Sequence, residues 1–589
     1  MGKKRRSKKS VSKTSDKGSV GAQPKAAPPK EVSAGAFRQL LSREWVQVAL
    51  VLLWGFLLRL WNVLEMRANS PFFDLPATDS QHFDNLAKVI AAGDWLGSDV
   101  FYYNPLYPYF LGSLYALFGP NYLLVKVIQS LFGCASCLLI YIIAKRVTTQ
   151  RAALIAALAA ASYAIFIFHE ELLLTAVLSM FAMLLSIWLL LRFKESPTLL
   201  RSAVAGISLG FAFVARPTFF PFIATVWLVV AFWKRGIPFL ISRLAVFGVA
   251  ATLMVIPVTI RNYVVGDDLV LIAAHTGYNV YLGNNPESSG YLSMPSAIPR
   301  TLVDNPTDQR QWFKETAEKD LGRELKPSEV SQYWSAKGWA YITGHPGEWL
   351  GKVWDRLVRI ANEYEFSDNQ NYYFSQQFST VLRLPLLVYG VVLPFALLGM
   401  VVAFRKRRKF SLLYLFVAGY TVGLLGFFIN ARYRMLMVPL LIIFAAHGLY
   451  WLGMKLREKE MKPAVKGIAL LAVFFAVSHV NLGKAGSKSA HYIDYYNLAN
   501  KYSAKERFEE AIAAYRKSIA MNPNYLSSHN NLASVLEKSG QYEAARDKWQ
   551  DVLKMAERKG SPLHIERARK HLAFVSQKLT PSDKNISKR

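Results

Sequence analysis

The sequence predicts a mainly α protein: a polytopic membrane helix bundle that carries a soluble helical repeat module at its C-terminus. Three observations carry this. Long apolar runs fill most of residues 46–483, and a helix needs about 20 apolar residues to cross the hydrocarbon core. Short, strongly basic connections alternate with polar ones along those runs. From residue 491 the pattern changes to amphipathic helices that repeat at a spacing of 34. Composition agrees, with 52% hydrophobic and 19% charged residues against about 45–50% and about 25% in ordinary soluble chains. A soluble enzyme is excluded. The net charge of +30 would point to nucleic acid in a soluble chain. Here the positives sit between apolar runs, so the lipid bilayer is the expected partner and nucleic acid is not.

Residues 1–44 read as a disordered basic cytoplasmic tail, with ten Lys/Arg and one Asp in the first 30 residues and too little apolar surface for a core. The run that follows is of membrane length and lacks a small-residue cleavage site, so it reads as a retained anchor. About eleven spans are expected, near 45–64, 121–143, 151–168, 172–191, 200–215, 218–233, 241–260, 381–403, 410–429, 434–453 and 465–482. With the tail inside, the inner connections become AKRVTTQR, RFKESPTLLR, KRGIPFLISR, RKRRK and KLREKEMK, as the positive-inside rule requires. The C-terminus then lies outside. Residues 105–118 are apolar but too short to span, and suit an interfacial or re-entrant helix. Two extracytoplasmic loops, about 65–120 and 263–380, are long enough to carry function. Cys134 and Cys137 form a single CxxC inside an apolar run and read as packing.

The membrane domain accordingly covers 45–483 and the repeat module 491–579. Leu498, Ala499, Tyr502, Ala511, Tyr515 and Pro523 have the spacing of a tetratricopeptide repeat. Leu532, Ala533, Leu536, Gly540, Tyr542, Ala545 and Trp549 supply a second copy, and 563–579 a capping helix. Small residues let the paired helices approach and aromatics fill the gap between them. Such modules bind proteins or peptides; a purely structural lid is the alternative.

Ionisable residues at the ends of membrane spans are costly and usually functional or paired. The topology puts Asp79, Glu170, Arg216, Arg261, Arg432 and Arg434 at one outer face. Asp79, in PATDSQHFDNLAKV, is a candidate general base or else a helix N-cap. Glu170 sits with Glu171 in a hairpin between two spans, where it would position an acceptor or a divalent ion; exposure to solvent is the plainer reading. Arg216, Arg261 with Asn262, and Arg432–Tyr433–Arg434 run against the positive-inside trend. Arginine holds phosphate through planar bidentate hydrogen bonds, so they are candidate ligands for a phosphate-bearing lipid headgroup.

Taken in order, Asp79, NPLYPYFLGSLY, FHEELLLT, ARP at 215–217, IRNYVVGDDLVLIAAHTGYNVYLGNNPESSG and ARYRMLMVP resemble the GT-C-fold glycosyltransferases, in the branch of protein O-mannosyltransferases and bacterial aminoarabinose transferases. The resemblance covers roughly 46–450. It implies transfer of a sugar from a polyprenyl-phosphate donor to an acceptor at the outer face of a bacterial inner membrane. The acceptor would be a protein or an envelope glycan or lipid, and the repeats would recruit a protein acceptor or envelope partner. In this sequence Asp79 is followed by Ser80, where protein O-mannosyltransferases have an Asp-Glu pair, and Glu171 stands where related bacterial members have Gly. Donor and acceptor therefore stay open; the residues name no definite cofactor, and a divalent metal ion is left as an option. A base opposite a leaving phosphate predicts inversion at the anomeric carbon. Two other readings stand beside this one. An O-antigen ligase-like or polymerase-like enzyme would use His275 or His345 of the large loop, and a non-enzymatic scaffold would act through its repeats alone.

Overall fold

The computed structural model describes residues 42–216, 236–290, 294–298, 306–480 and 491–579. The basic tail as far as residue 41 and the expected span at 218–233 lie outside the described residues. Residues from Val48 onward form one compact unit. Among the described residues there is no strand, only a single bridge between Tyr163 and Leu387.

The long apolar runs form helices α1 (Glu44–Asn69), α4 (Tyr122–Val147), α7 (Ala176–Glu195), α9 (Ile237–Gly266), α16 (Val438–Arg457) and α17 (Met461–His479). Between α1 and α4 lie α2 (Thr78–Ala91) and α3 (Leu106–Phe118), the latter thirteen residues long and apolar, short of a span as its length predicts. The expected span 151–168 is two helices, α5 (Gln150–Ala161) and α6 (Ala164–Glu171). The backbone groups freed at the break pair with Leu387, whose N–H donates to Ser162 O at 3.1 Å and whose carbonyl accepts from Ala164 N at 3.0 Å. A helix can break inside an apolar bundle only where such partners exist. Helix α8 (Leu199–Ala215) packs on α9 through Gly206 and Gly210, where any Cβ would strike the carbonyls of Phe247 and Ala251. This is the small-xxx-small contact of membrane helices.

The second large loop folds into α10 (Thr276–Gly283), α11 (Pro306–Leu321), α12 (Pro327–Gly344) and α13 (Pro346–Ala361). The expected span at 381–403 starts late, at α14 (Tyr389–Ala403), because Pro385 drives Leu384 out of helical geometry (ψ 153°). Helix α15 (Arg407–Leu425) follows after one 3₁₀ turn. Tyr414 Oη donates to Met400 O, so α14 and α15 fold back on each other rather than running on. Seven stretches are long and apolar enough to cross a membrane among the described residues, with 389–425 counted as one. The chain is a polytopic membrane helix bundle.

The repeat module consists of α18 (Tyr492–Ala504), α19 (Phe508–Met521), α20 (Leu526–Lys538), α21 (Tyr542–Arg558) and α22 (Pro562–Leu579). The turns inside the two repeats place Glu506 (φ 56°) and Gly540 (φ 78°) in the same left-handed conformation. The module packs on the bundle. Tyr495 meets Phe374 edge to face, and Lys501 Nζ donates to Pro76 O at 2.8 Å.

Candidate functional site

A cavity of about 1080 Å³ lies between the first-loop helix α2, the 269–276 segment, the C-terminal end of α15 and the first repeat helix α18. Asp79, Arg216, Arg432 and Tyr433 line it. Of the eight residues singled out in the sequence, the fold brings these four together.

Asp79 is held from several sides. Arg432 Nη1 lies 3.1 Å from its Oδ2, and Tyr103 Oη donates to its Oδ1 at 3.3 Å. The Asn369 amide donates to Oδ2 at 3.1 Å while its own oxygen accepts from the Asp79 backbone N–H at 2.9 Å. Asp79 is not a helix cap: the N-cap of α2 is Ala77, without a side-chain bond. Thr78, just before it, has φ 51°, a costly conformation for a β-branched residue. Its hydroxyl donates to the same Asn369 oxygen, which supports the strained turn. Arg432 Nε also lies 2.7 Å from Asp368 Oδ2, so one guanidinium spans two carboxylates. Burial raises the Asp368 carboxyl above its ordinary value, against the pull of Arg432. Among the described residues no group of three or more His, Cys, Asp or Glu side chains is arranged for a metal ion. Between Asp79 and Asp368 the positive charge is that of Arg432.

Arg216 ends α8, is 4% exposed and lies with its guanidinium 4.2 Å from the Tyr433 ring centroid. Its Nη1 is buried with no hydrogen-bond partner among the described residues. A buried, unpaired guanidinium nitrogen is expensive, and at a cavity wall it is a ready anion ligand.

The other four residues do not line the cavity. Glu170 is not on an exposed hairpin: it is 1% exposed and forms an ion pair with Arg59, with Oε2 2.6 Å from Nε and Oε1 3.1 Å from Nη2. Gly133 leaves the room for that carboxylate, since a Cβ there would collide with it. Glu171 is likewise buried against Lys126 at 2.6 Å. Arg434 is buried on Glu365 at 2.8 Å and donates to Tyr364 O at 2.7 Å. Arg261 donates to the carbonyls of Asp99 and Leu96 and covers the Phe101 ring. Asn262 is fully buried, its amide donating to Val270 O at 2.9 Å and Ile272 O at 3.2 Å. Arg261 and Asn262 thus brace the loop segments around the cavity. For Glu170, Glu171 and Arg434 the reason is desolvation: a charge kept inside a bundle is matched locally by a partner, and sequence spacing cannot reveal that partner.

Of the two large-loop histidines, His275 lines the cavity and burial lowers its pKa to about 4, so the ring is neutral. His345 is exposed at the junction of α12 and α13, stacked on Tyr341.

Residues 103–260 match the family of dolichyl-phosphate-mannose-protein mannosyltransferases. The match takes in Tyr103 and Arg216 but ends before Arg432. Residues 493–525 and 514–547 match tetratricopeptide repeats. No curated protein sequence matches the chain. Among solved structures, the apo oligosaccharyltransferase of Archaeoglobus fulgidus is similar over 79% of this chain and 59% of its own, at 14% identity and TM-score 0.42. AglB of the same organism, in complex with an inhibitory peptide and a dolichol-phosphate, is similar over 80% and 59%, at 14% identity and TM-score 0.41. ArnT from Cupriavidus metallidurans bound to undecaprenyl phosphate is similar over 70% and 79%, at 15% identity and TM-score 0.35. The chain spans 59% of the length of the archaeal enzymes.

Three segments of the cavity wall escape sequence reasoning. Asp368 and Asn369 belong to the polar run SDNQN at 367–371, whose clustering between aromatic residues was the available signal. Tyr103, just before the NPLYPYFLGSLY segment, carried no signal of its own. His491, Ile493, Asp494 and Asn497, from the repeat module, had no signal pointing to the membrane domain.

Proposed function

We propose that the protein is a membrane glycosyltransferase that moves a sugar from a polyprenyl-phosphate donor to a hydroxyl-bearing acceptor at the outer face of the membrane. The observation that carries this is the presence, in one cavity, of the oriented Asp79 carboxylate and the buried Arg216 guanidinium, whose Nη1 has no hydrogen-bond partner among the described residues. The family match over 103–260 supports it. Arg216 binds the phosphate. The apolar wall, including Leu282, Leu424 and Phe427, suits the first prenyl units. Asp79 takes the proton of the acceptor hydroxyl as that oxygen bonds to the anomeric carbon. The bond from that carbon to the phosphate oxygen breaks, and its electron pair leaves with the polyprenyl phosphate, inverting the configuration. Arg432, Tyr103 and Asn369 orient the base.

The ligase-like reading keeps one specific support, the neutral His275 in the same cavity. Transfer from radiolabelled polyprenyl-phosphate mannose by Asp79→Asn and His275→Gln separates the two. Loss with Asp79→Asn, by about 10²–10⁴-fold, is expected. Loss with His275→Gln alone overturns the assignment of the base.

A further inference from the structure

The strained turn at Thr78 has a second support, and it comes from the repeat module. Lys501 Nζ, on α18, donates to Pro76 O at 2.8 Å, two residues before Thr78 and three before Asp79. Lys505, which ends the same helix, pairs with Asp74 at 3.3 Å. Near the start of the helix Asp494 accepts from Asn371 Nδ2 at 2.9 Å. Asn371 lies two residues after Asn369, whose amide brackets Asp79 from the second large loop. Residues 494, 501 and 505 follow helical spacing, so one face of α18 grips both loops that meet at the carboxylate. The contact is also a packed one: Phe73 and Phe374, one from each loop, share a buried apolar cluster with Leu498 of α18.

Lys501 is the unusual member of this interface. It is half-buried, its hydrogen bond goes to a neutral carbonyl, and no carboxylate pairs with it among the described residues. Burial accordingly lowers its pKa to about 8. An ammonium so placed costs stability, and an apolar side chain would join repeat and bundle more favourably. The charged donor does what an apolar side chain cannot: it fixes the Pro76 carbonyl, and with it the path by which the backbone enters Thr78 (φ 51°). A non-glycine residue holds left-handed backbone only where its surroundings over-determine it. Asn369 holds this turn from one side and Lys501 from the other. We infer that α18 is a clamp on the catalytic carboxylate, and that Lys501, acting through the Pro76 carbonyl, is a positioning residue for Asp79. This rests on the transferase reading above. It adds a residue of the repeat module to the machinery that aims the base, whichever acceptor is used.

The test follows label from polyprenyl-phosphate mannose, transferred by the purified full-length chain to membranes of cells that lack it. Undecaprenyl phosphate binding and thermal melting are recorded for each variant. Lys501→Met should lower kcat about ten- to a hundredfold, as misplacement of a reacting group does. Its KM for the donor and its affinity for undecaprenyl phosphate should stay those of wild type, and its melting temperature should not fall. Lys501→Arg, which still presents N–H donors, should recover most of the lost rate. In Lys501→Met with Asn369→Ala the combined loss should fall short of the product of the two, because both act on one alignment. A wild-type kcat in Lys501→Met overturns the clamp. So does a loss of rate that comes with a lower melting temperature, and so do losses that multiply in full in the double variant. In each of these cases transfer by the wild type leaves the transferase reading standing. A wild-type protein that neither binds undecaprenyl phosphate nor consumes the donor overturns that reading itself, and the clamp with it.

Discussion

The Asn369 amide brackets Asp79, accepting from its backbone N–H at 2.9 Å and donating to its carboxylate at 3.1 Å. The two residues are 290 positions apart, so the second large loop sets the aim of a carboxylate carried by the first. Asn369→Ala should lower kcat by up to about 10²-fold through misalignment of the base, with donor affinity little changed. Steady-state transfer kinetics check this.

Arg216 should govern donor affinity. Replacing its guanidinium in Arg216→Gln removes a charge-assisted hydrogen bond, about 1.5–3 kcal/mol, or about ten- to a hundredfold in Kd. Titration with undecaprenyl phosphate measures it. Arg261→Ala should leave that affinity far less affected, because Arg261 is spent on the carbonyls of Leu96 and Asp99.

The Arg59–Glu170 pair tests whether Glu170 is structural. Arg59→Leu leaves a carboxylate stranded in the bundle and should cost about 3–5 kcal/mol. Arg59→Leu with Glu170→Leu should recover most of that loss in thermal unfolding and retain transfer. A folded double variant without activity would give Glu170 a role beyond the ion pair.

Lys501 predicts a pH dependence of the docked repeat module. Burial lowers its pKa from the ordinary 10.5 to about 8. Between those values the unfolded chain holds a proton that the folded chain has released, so stability rises with pH through that window. Below about pH 8 the cost of the buried charge is fully present. Lys501→Met should abolish this slope and raise the melting temperature at pH 7, as thermal melts across pH will show.

Glu506 occupies, with φ 56°, the position that Gly540 fills in the second repeat. Glu506→Gly relieves left-handed strain and should stabilise the module by about 0.5–1 kcal/mol after the entropy cost of glycine. Chemical denaturation followed within the module would detect it.

Much of the fold was legible because its signals are local. A run such as 122–147 states its own helix, and the coincidence of Leu498 with Leu532 and of Tyr515 with Trp549 states the repeat. The break at Ser162 was not legible, since it depends on Leu387 arriving to satisfy the freed backbone groups. The candidate site was half legible. Asp79, Arg216, Arg432 and Tyr433 stood out as polar residues at span ends, but so did Glu170 and Arg434, which burial matches to Arg59 and Glu365.

The sequence by itself determined that this chain is helical, that it lies in a membrane, and that two repeats follow. Apolar length and helical period are properties of neighbouring residues. Only the tertiary structure decided which charges share a cavity and which are sealed in ion pairs. It also brought Asp368, Asn369 and the first repeat helix to Asp79. The reason is physical: the cost of an unpaired buried charge is met by whichever partner the packing delivers. For Asp79 and Arg432 that partner lies 353 residues away.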